Sequence, residues 1–335
     1  MSVRLQPPSL RSSPCAACGK PKNLSKPTKK LSNGVAKNLI ILGQTATGKT
    51  KLSIELAKQI GAEIISADSM QVYRGMDIGT AKPTIKERQG VPHHLIDIKD
   101  PDKEWTVADF VKQANHLITH RPYIIVGGTG LYLWSLLNGY SFLPAPVDKG
   151  IRARLEKLPT STLYAQLSTI DALSAQKIHA NDKKRIIRAL EVYGLTGKPL
   201  SESRKQNAER RAQEYTLIGL KVERDTLYQR INKRVDHMIA QGLIDEVKGL
   251  LAKGYEKTLP AFQALGYKEV ISYLEGKDSR DQMIDELKKR SRHFARRQQT
   301  WFKRFENIKW FDPQLDLATF LDYINNYDTN PRSGN

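Results

Sequence analysis

The sequence predicts an α/β fold, a parallel sheet flanked by helices and interrupted by a helical insertion. Three observations predict it. Strand-length apolar runs alternate with amphipathic helix-length patterns through the first 140 residues, the signature of a parallel sheet covered on both faces. Residues 43–50 read Gly-Gln-Thr-Ala-Thr-Gly-Lys-Thr, a G-x-x-x-x-G-K-T spacing set between a strand and a helix. From Asp148 to Gly197 the strand signal lapses and short helical patterns replace it.

The elements follow in order. Residues 1–37, rich in Pro, Ser and Lys, read as a disordered basic extension. The first part of a P-loop NTPase-like core spans 38–147. Its expected strands are 38–43, 63–67, 94–98 and 123–127, separated by helices over 49–60, 106–119 and 131–137. A helical insertion occupies 148–210, with helices over 151–158, 163–167, 172–178 and 183–195. The core resumes over 211–330. There a strand at 215–222 precedes helices over 224–253, 259–275 and 280–304, a short strand at 307–311 and a last helix over 317–327. Ligands of such sheets sit beyond the carboxyl ends of the strands, which gathers four loops: 43–49, 68–74, 97–103 and 127–131.

Composition bounds the function. At 335 residues the chain exceeds one ordinary domain, and 39% hydrophobic with 27% charged residues fits a soluble globular enzyme. No apolar run approaches the roughly 20 residues that span a bilayer, and no signal-peptide core is visible, so no membrane partner is expected. The formal net charge is +19. Eight of these charges fall in residues 1–37, which hold no Asp or Glu, leaving +11 for the rest. That excess points to a polyanion partner, nucleic acid in preference to general solubility charge. The two cysteines, Cys15 and Cys18, cannot complete a four-ligand zinc site and receive no function. The lack of others argues against a disulfide framework and for the cytoplasm.

The chemistry begins at the loop. Gly43, Gln44, Thr45, Ala46, Thr47, Gly48, Lys49 and Thr50 form a diphosphate-binding cradle. Backbone N–H groups and a helix N-terminus wrap the anion, Lys49 adds a point charge, and the Thr50 hydroxyl is the candidate ligand for Mg²⁺. Asp68 ends the second strand beside that loop. A carboxylate there caps a following helix, or accepts a proton from a nucleophile, or holds Mg²⁺ through water. Gly127, Gly128, Thr129 and Gly130 follow another strand; they serve either a tight turn or a close ligand approach. Arg224 opens the helix after the late strand. Spacing alone makes it a surface arginine, and reaching a departing pyrophosphate is the functional alternative. Two basic tracts, 183–188 and 290–304, offer cations to phosphates, while Trp301 and Phe302 read as core anchors before base-stacking groups.

Together these segments resemble the tRNA dimethylallyltransferase (tRNA isopentenyltransferase) family. The likeness rests on the phosphate loop, residues 68–83 (Asp-Ser-Met-Gln-Val-Tyr-Arg-Gly-Met-Asp-Ile-Gly-Thr-Ala-Lys-Pro), 93–97, 127–132, 188–193, 196–199, 266–269 and 297–302. It covers about residues 38 to 312. Gln44 and Thr47 stand where the family has Pro and Ser, and Lys183 and Lys184 where a Pro-Gln pair is common. The resemblance implies transfer of a dimethylallyl group from dimethylallyl diphosphate to N6 of adenosine 37, next to the tRNA anticodon. It implies Asp68 as general base, Thr129 as a substrate contact and Arg224 as an aid to the leaving pyrophosphate. It implies tRNA contacts at Asp68, Ser69, Met70 and Gln71, and at Lys184, Arg185, Ile186, Ile187 and Arg188. The expected enzyme is a Mg²⁺-dependent monomer. Its rivals are an adenylate isopentenyltransferase acting on free AMP, ADP or ATP, a P-loop small-molecule kinase, and a non-catalytic RNA-binding module. Residues 77–83, the insertion and the basic body favour tRNA.

Overall fold

The computed structural model describes residues 38–118, 123–140, 142–143, 145–203 and 215–327. The basic extension, both cysteines and the end of the insertion lie outside the described residues. Strands β1 (Asn38–Gly43), β2 (Glu63–Ser66), β3 (His93–His94), β4 (Tyr123–Gly127), β5 (Tyr215–Leu220) and β6 (Lys309–Phe311) form one sheet in the order β3-β2-β4-β1-β5-β6. Every pairing is parallel, so the expected fold class holds. The helices are α1 (Lys49–Ile60), α2 (Ile85–Arg88), α3 (Val107–Ile118), α4 (Gly130–Leu137), α5 (Lys149–Glu156), α6 (Thr160–Ile170), α7 (Ala172–Ala175), α8 (Lys183–Thr196), α9 (Arg224–Ala240), α10 (Leu243–Ala252), α11 (Tyr267–Leu274), α12 (Arg280–Phe302) and α13 (Leu317–Tyr327). None is long and apolar enough to cross a membrane.

The period-two alternation of β1 distributes its side chains between two cores. Ile40 and Leu42 pack with Phe110 of α3, Leu133 of α4 and Phe302 of α12. Leu39 and Ile41 pack with Leu52 and Leu56 of α1 and Phe320 of α13. Both faces of the central strand are thus buried, as a parallel sheet requires. A third core joins α9–α12 to Val72, Tyr73 and Met76 of the segment after β2. Helices α5–α8 enclose a fourth, built on Leu163, Leu167, Ile186, Ile187 and Leu190. Glu191, wholly buried, ties α8 to α5: it accepts hydrogen bonds from Arg152, Arg188 and the Asp148 N–H.

Four expectations change. The strand at 94–98 shrinks to His93–His94, because Leu95 (φ 61°) and Asp97 (φ 57°) adopt left-handed conformations that break a ladder. The helix over 224–253 is two helices, divided at Gly242 with φ 98°. The helix over 259–275 divides at Gly266 with φ 93° into a 3₁₀ turn, Pro260–Gln263, and α11. Conversely, α6 runs the full Thr160–Ile170, past the short stretch expected at 163–167.

Candidate active site

The loop after β1 closes over the N-terminus of α1. Ala46 (φ 63°) and Gly48 (φ 92°) take left-handed conformations within it, and Gly48 stands as the N-cap with no side chain to occupy the helix end. Lys49 folds back, its Nζ donating to the carbonyls of Gly43 (2.8 Å) and Gln44 (2.7 Å). Two staples fix the loop to α12. Gln44 Nε2 donates to the Ala295 carbonyl (2.9 Å), and the Thr45 N–H donates to Gln298 Oε1 (2.8 Å). The Gln44 side chain therefore braces the loop, and buried Thr47 donates its hydroxyl to the Gln44 carbonyl (2.8 Å), leaving anion contacts to backbone N–H groups, Lys49 and the hydroxyls of Thr45 and Thr50.

Gln298 also donates to the Gly128 carbonyl (3.1 Å), joining the loops after β1 and β4. A Cβ on Gly127 would lie 2.2 Å from the Ala67 carbonyl oxygen, one on Gly128 2.1 Å from Gln298 Nε2, and one on Gly130 2.7 Å from Trp301 Cβ. Close protein packing thus constrains all three glycines, and Gly127 and Gly128 also line a small cavity beside the phosphate loop. Phe302 is buried in the sheet core, and Trp301 lies between Gly130 and the Arg304 guanidinium, 4.5 Å from its ring; both are anchors of α12.

No helix directly follows Asp68; its carboxylate caps a turn with one oxygen and leaves the other open. Its Oδ1 accepts from the N–H of Met70 (2.8 Å) and Gln71 (3.3 Å), capping a turn. Among the described residues no hydrogen bond reaches Oδ2, and the carboxylate lines two adjoining cavities. The smaller, about 90 Å³, is lined by Thr45, Lys49, Thr50 and Asp68 together with Ile64, Pro83, Ile96 and Val126. The larger, about 650 Å³, extends from Asp68, Ser69, Met70 and Thr129 to Lys268, Lys289, Arg290 and Arg297. Thr45, Asp68, Thr80, Arg234 and Phe294 line both, so the two spaces meet there. Thr129 Oγ1 accepts the Ser69 N–H (3.2 Å), holding the loops after β2 and β4 together.

The expected loop 97–103 contributes nothing to either lining; Thr80, Ala81 and Pro83 take its place. Gln71 faces inward, accepting from Ser66 Oγ (3.0 Å), with its amide 3.4 Å from the carbonyls of Thr80 and Ala81. Arg224 lies in the exposed first turn of α9, its guanidinium over Tyr228 at 5.3 Å, and lines neither cavity. Arg234, ten residues further along the helix, is the cation at the junction. In the tract 184–188 only Lys184 and Arg185 present exposed side chains. Ile186 and Ile187 are core residues, and Arg188 is engaged by Glu191 and the Ala145 carbonyl. No described residue of α5–α8 lines either cavity.

The comparisons with known proteins fit this geometry. The IPP transferase family model matches residues 71–305, most of the chain, and the isopentenyl transferase model matches residues 36–102. The chain belongs to the IPP transferase family. A tRNA dimethylallyltransferase of Carboxydothermus hydrogenoformans is 51% identical over 287 residues, 82% of this chain and 92% of that protein. One of Pelotomaculum thermopropionicum is 47% identical over 293 residues, 85% and 92% of the two chains. The crystal structure of a tRNA isopentenylpyrophosphate transferase from Bacillus halodurans superimposes with a TM-score of 0.64 at 44% identity, covering 88% of this chain and 96% of that one. A eukaryotic dimethylallyltransferase captured acting on tRNA matches with a TM-score of 0.69 at 29% identity, covering 85% and 75%.

In this member of the IPP transferase family the electrostatics of the two cavities centre on Lys49. Burial, with the nearby Arg234 cation adding to it and Asp68 opposing, pushes its ammonium from 10.5 down to about 7. Burial also lowers Arg234, partly offset by Asp68. A lysine depressed on folding binds fewer protons folded than unfolded between about pH 7 and 10.5, so its contribution favours folding as pH rises through that window. Anion binding reverses the preference, because a diphosphate holds the proton on. Affinity for a non-reactive allylic diphosphate analogue should therefore fall by up to about tenfold per pH unit above about 7, with net proton uptake. Calorimetry between pH 7.5 and 9 in buffers of different ionisation enthalpy checks this. A flat affinity without proton uptake contradicts it.

Proposed function

We propose that the protein transfers a dimethylallyl group from dimethylallyl diphosphate to N6 of adenosine 37 of tRNA, releasing diphosphate. The observation that carries this reading is the junction of the two cavities at Asp68 and Arg234. The small cavity suits the donor, because its lining holds anion-binding groups, Thr45, Lys49 and Thr50, together with apolar Ile64, Pro83, Ile96 and Val126 among polar Ser66, Gln71 and His93. The large one suits a nucleoside delivered on a polyanion, since Lys268 and Arg297 line it beside Lys289 and Arg290, which are paired with Glu286 and Glu269.

An exocyclic adenine amine is a poor nucleophile because its lone pair is delocalised into the ring. As the allylic carbon bonds to N6 and its bond to the diphosphate oxygen breaks, the N6 proton passes to Asp68 Oδ2. The turn at Met70 and Gln71 holds that carboxylate through its other oxygen. Loop N–H groups, Lys49 and Arg234 stabilise the charge growing on the diphosphate. Thr129 keeps the Asp68 loop in register through Ser69. The adenine reaches the site unstacked, at a cost of a few kcal/mol that is lower in a loop than in a duplex.

Mg²⁺ fits this donor set. No cluster of three His, Cys, Asp or Glu exists among the described residues, but Mg²⁺ beside phosphates commonly uses one or two protein oxygens and otherwise water. The Thr50 hydroxyl and Asp68, through water, line the same cavity and would serve. When bound, the ion would neutralise diphosphate charge. Exposed Lys184 and Arg185 would meet phosphates of the anticodon stem. We further propose a cytoplasmic monomer. Incubation with labelled dimethylallyl diphosphate and unmodified tRNA tests the whole reading, with nucleosides separated after digestion. Label on a single tRNA adenosine is expected. Label on AMP with tRNA untouched, or ATP consumed without prenyl transfer, overturns it.

A further inference from the structure

Outside the two cavities one carboxylate gathers an unusual set of donors. Glu246, in the first turn of α10, accepts the backbone N–H groups of Asp77 (2.9 Å) and Ile78 (2.7 Å) on Oε2. Its Oε1 accepts the Gly79 N–H (3.2 Å) and the Tyr267 hydroxyl (2.6 Å). Three consecutive amides converging on one charge resemble the way a loop cradles a bound anion, except that the anion here is a side chain from another part of the chain. Charge-assisted hydrogen bonds of this kind are stronger than neutral ones.

The elements so joined are the walls of the two cavities. The segment whose amides Glu246 holds continues directly into Thr80, Ala81 and Pro83, which line the donor cavity, while its Gly79 and Thr80 also face the acceptor cavity. Tyr267, wholly buried, opens α11, and its neighbours Ala264, Leu265 and Lys268 line the acceptor cavity. Contact between the walls is close: a Cβ on Gly79 would lie 2.4 Å from the Tyr267 ring. Burial, with Glu246 beside it, raises the Tyr267 hydroxyl above its ordinary range, so it stays a donor. A second set of contacts pins the same segment, where buried Lys82 reaches Asp77, Asp97 and the Tyr73 carbonyl.

We infer that Glu246 is a positioning residue that sets the donor cavity in register with the acceptor cavity. It touches neither substrate. It acts through the backbone of 77–79 and through Tyr267, and this inference rests on the assignment of donor and acceptor to the two cavities made above. A misplacement of about 1 Å between reacting groups costs on the order of 10²-fold in rate, whereas binding of each substrate to its own wall is nearly unaffected.

The test compares wild type, Glu246→Gln, Glu246→Ala and Tyr267→Phe, each measured for kcat, donor KM, tRNA Kd and thermal midpoint. Glu246→Gln keeps the bonds to Asp77 and Ile78 and sets an amide N–H₂ against the Gly79 N–H. We expect kcat to fall about 10-fold in Glu246→Gln and about 100-fold in Glu246→Ala, with tRNA Kd and donor KM within about threefold. Tyr267→Phe should lower kcat about fivefold, and adding it to Glu246→Ala should cause no further loss. If Glu246→Ala does not fold, the Gln and Phe variants decide the matter. Wild-type kcat per folded molecule in those variants, or kcat and tRNA affinity falling together with the thermal midpoint, overturns the inference. An inert wild type would instead overturn the assigned reaction.

Discussion

Asp68→Asn should lower transfer by about 10² to 10⁴-fold while tRNA binding stays near wild type. The substitution is nearly isosteric, and an asparagine oxygen can still accept the Met70 and Gln71 amides that define the turn. What it removes is the basic oxygen facing the junction of the cavities. Single-turnover rates with saturating donor, beside filter-binding affinities for tRNA, separate the two effects. Asp68→Ala should be no faster, and it should also loosen the turn. An Asn variant that turns over within a few fold of wild type would return Asp68 to a purely structural, turn-capping role.

Arg234→Ala should cost about 10² to 10³-fold in kcat, the usual loss when one preorganised donor is withdrawn from a developing anion. Arg224→Ala should change kcat by less than about twofold, as expected of an exposed side chain whose contact is a neighbouring tyrosine ring. The two arginines share one helix and differ by ten residues, which places them about 15 Å apart along its axis. Equal losses in both variants, or the reverse order, would show that the leaving group departs toward the start of α9 and not through the junction.

That contrast marks where reading from sequence stops. The conformation of the 43–50 loop and the place of Asp68 beside it were legible because their geometry is local: a strand, a turn and a helix start lie within a few residues of each other. Arg234 was not. Periodicity shows where α9 begins, but not which turn passes over the cavity once α9 packs on α12, where Arg292 meets Asn232 at 2.7 Å. Gln298 and Glu246 were hidden for a related reason, since each bonds to backbone more than 160 residues away. Glycines 127, 128 and 130 signalled close approach correctly, but the approaching groups are the Ala67 carbonyl, Gln298 and Trp301. The tract 184–188 divides in the structure because charge and core alternate along one amphipathic helix: burial of Ile186 and Ile187 leaves only Lys184 and Arg185 outward. The division at Gly242 and the 3₁₀ turn opened by Pro260 carried recognisable helix-ending residues, and periodicity on either side masked them.

The most direct measurement is a crystal structure with a non-reactive thio-analogue of dimethylallyl diphosphate and an unmodified anticodon stem-loop. The diphosphate should lie on the 43–50 amides with Lys49 and Arg234 against it, and a flipped adenine should place N6 within about 3 Å of Asp68. A diphosphate seated elsewhere, or an adenine amine that cannot reach both Asp68 and the allylic carbon, would contradict the shared-junction chemistry.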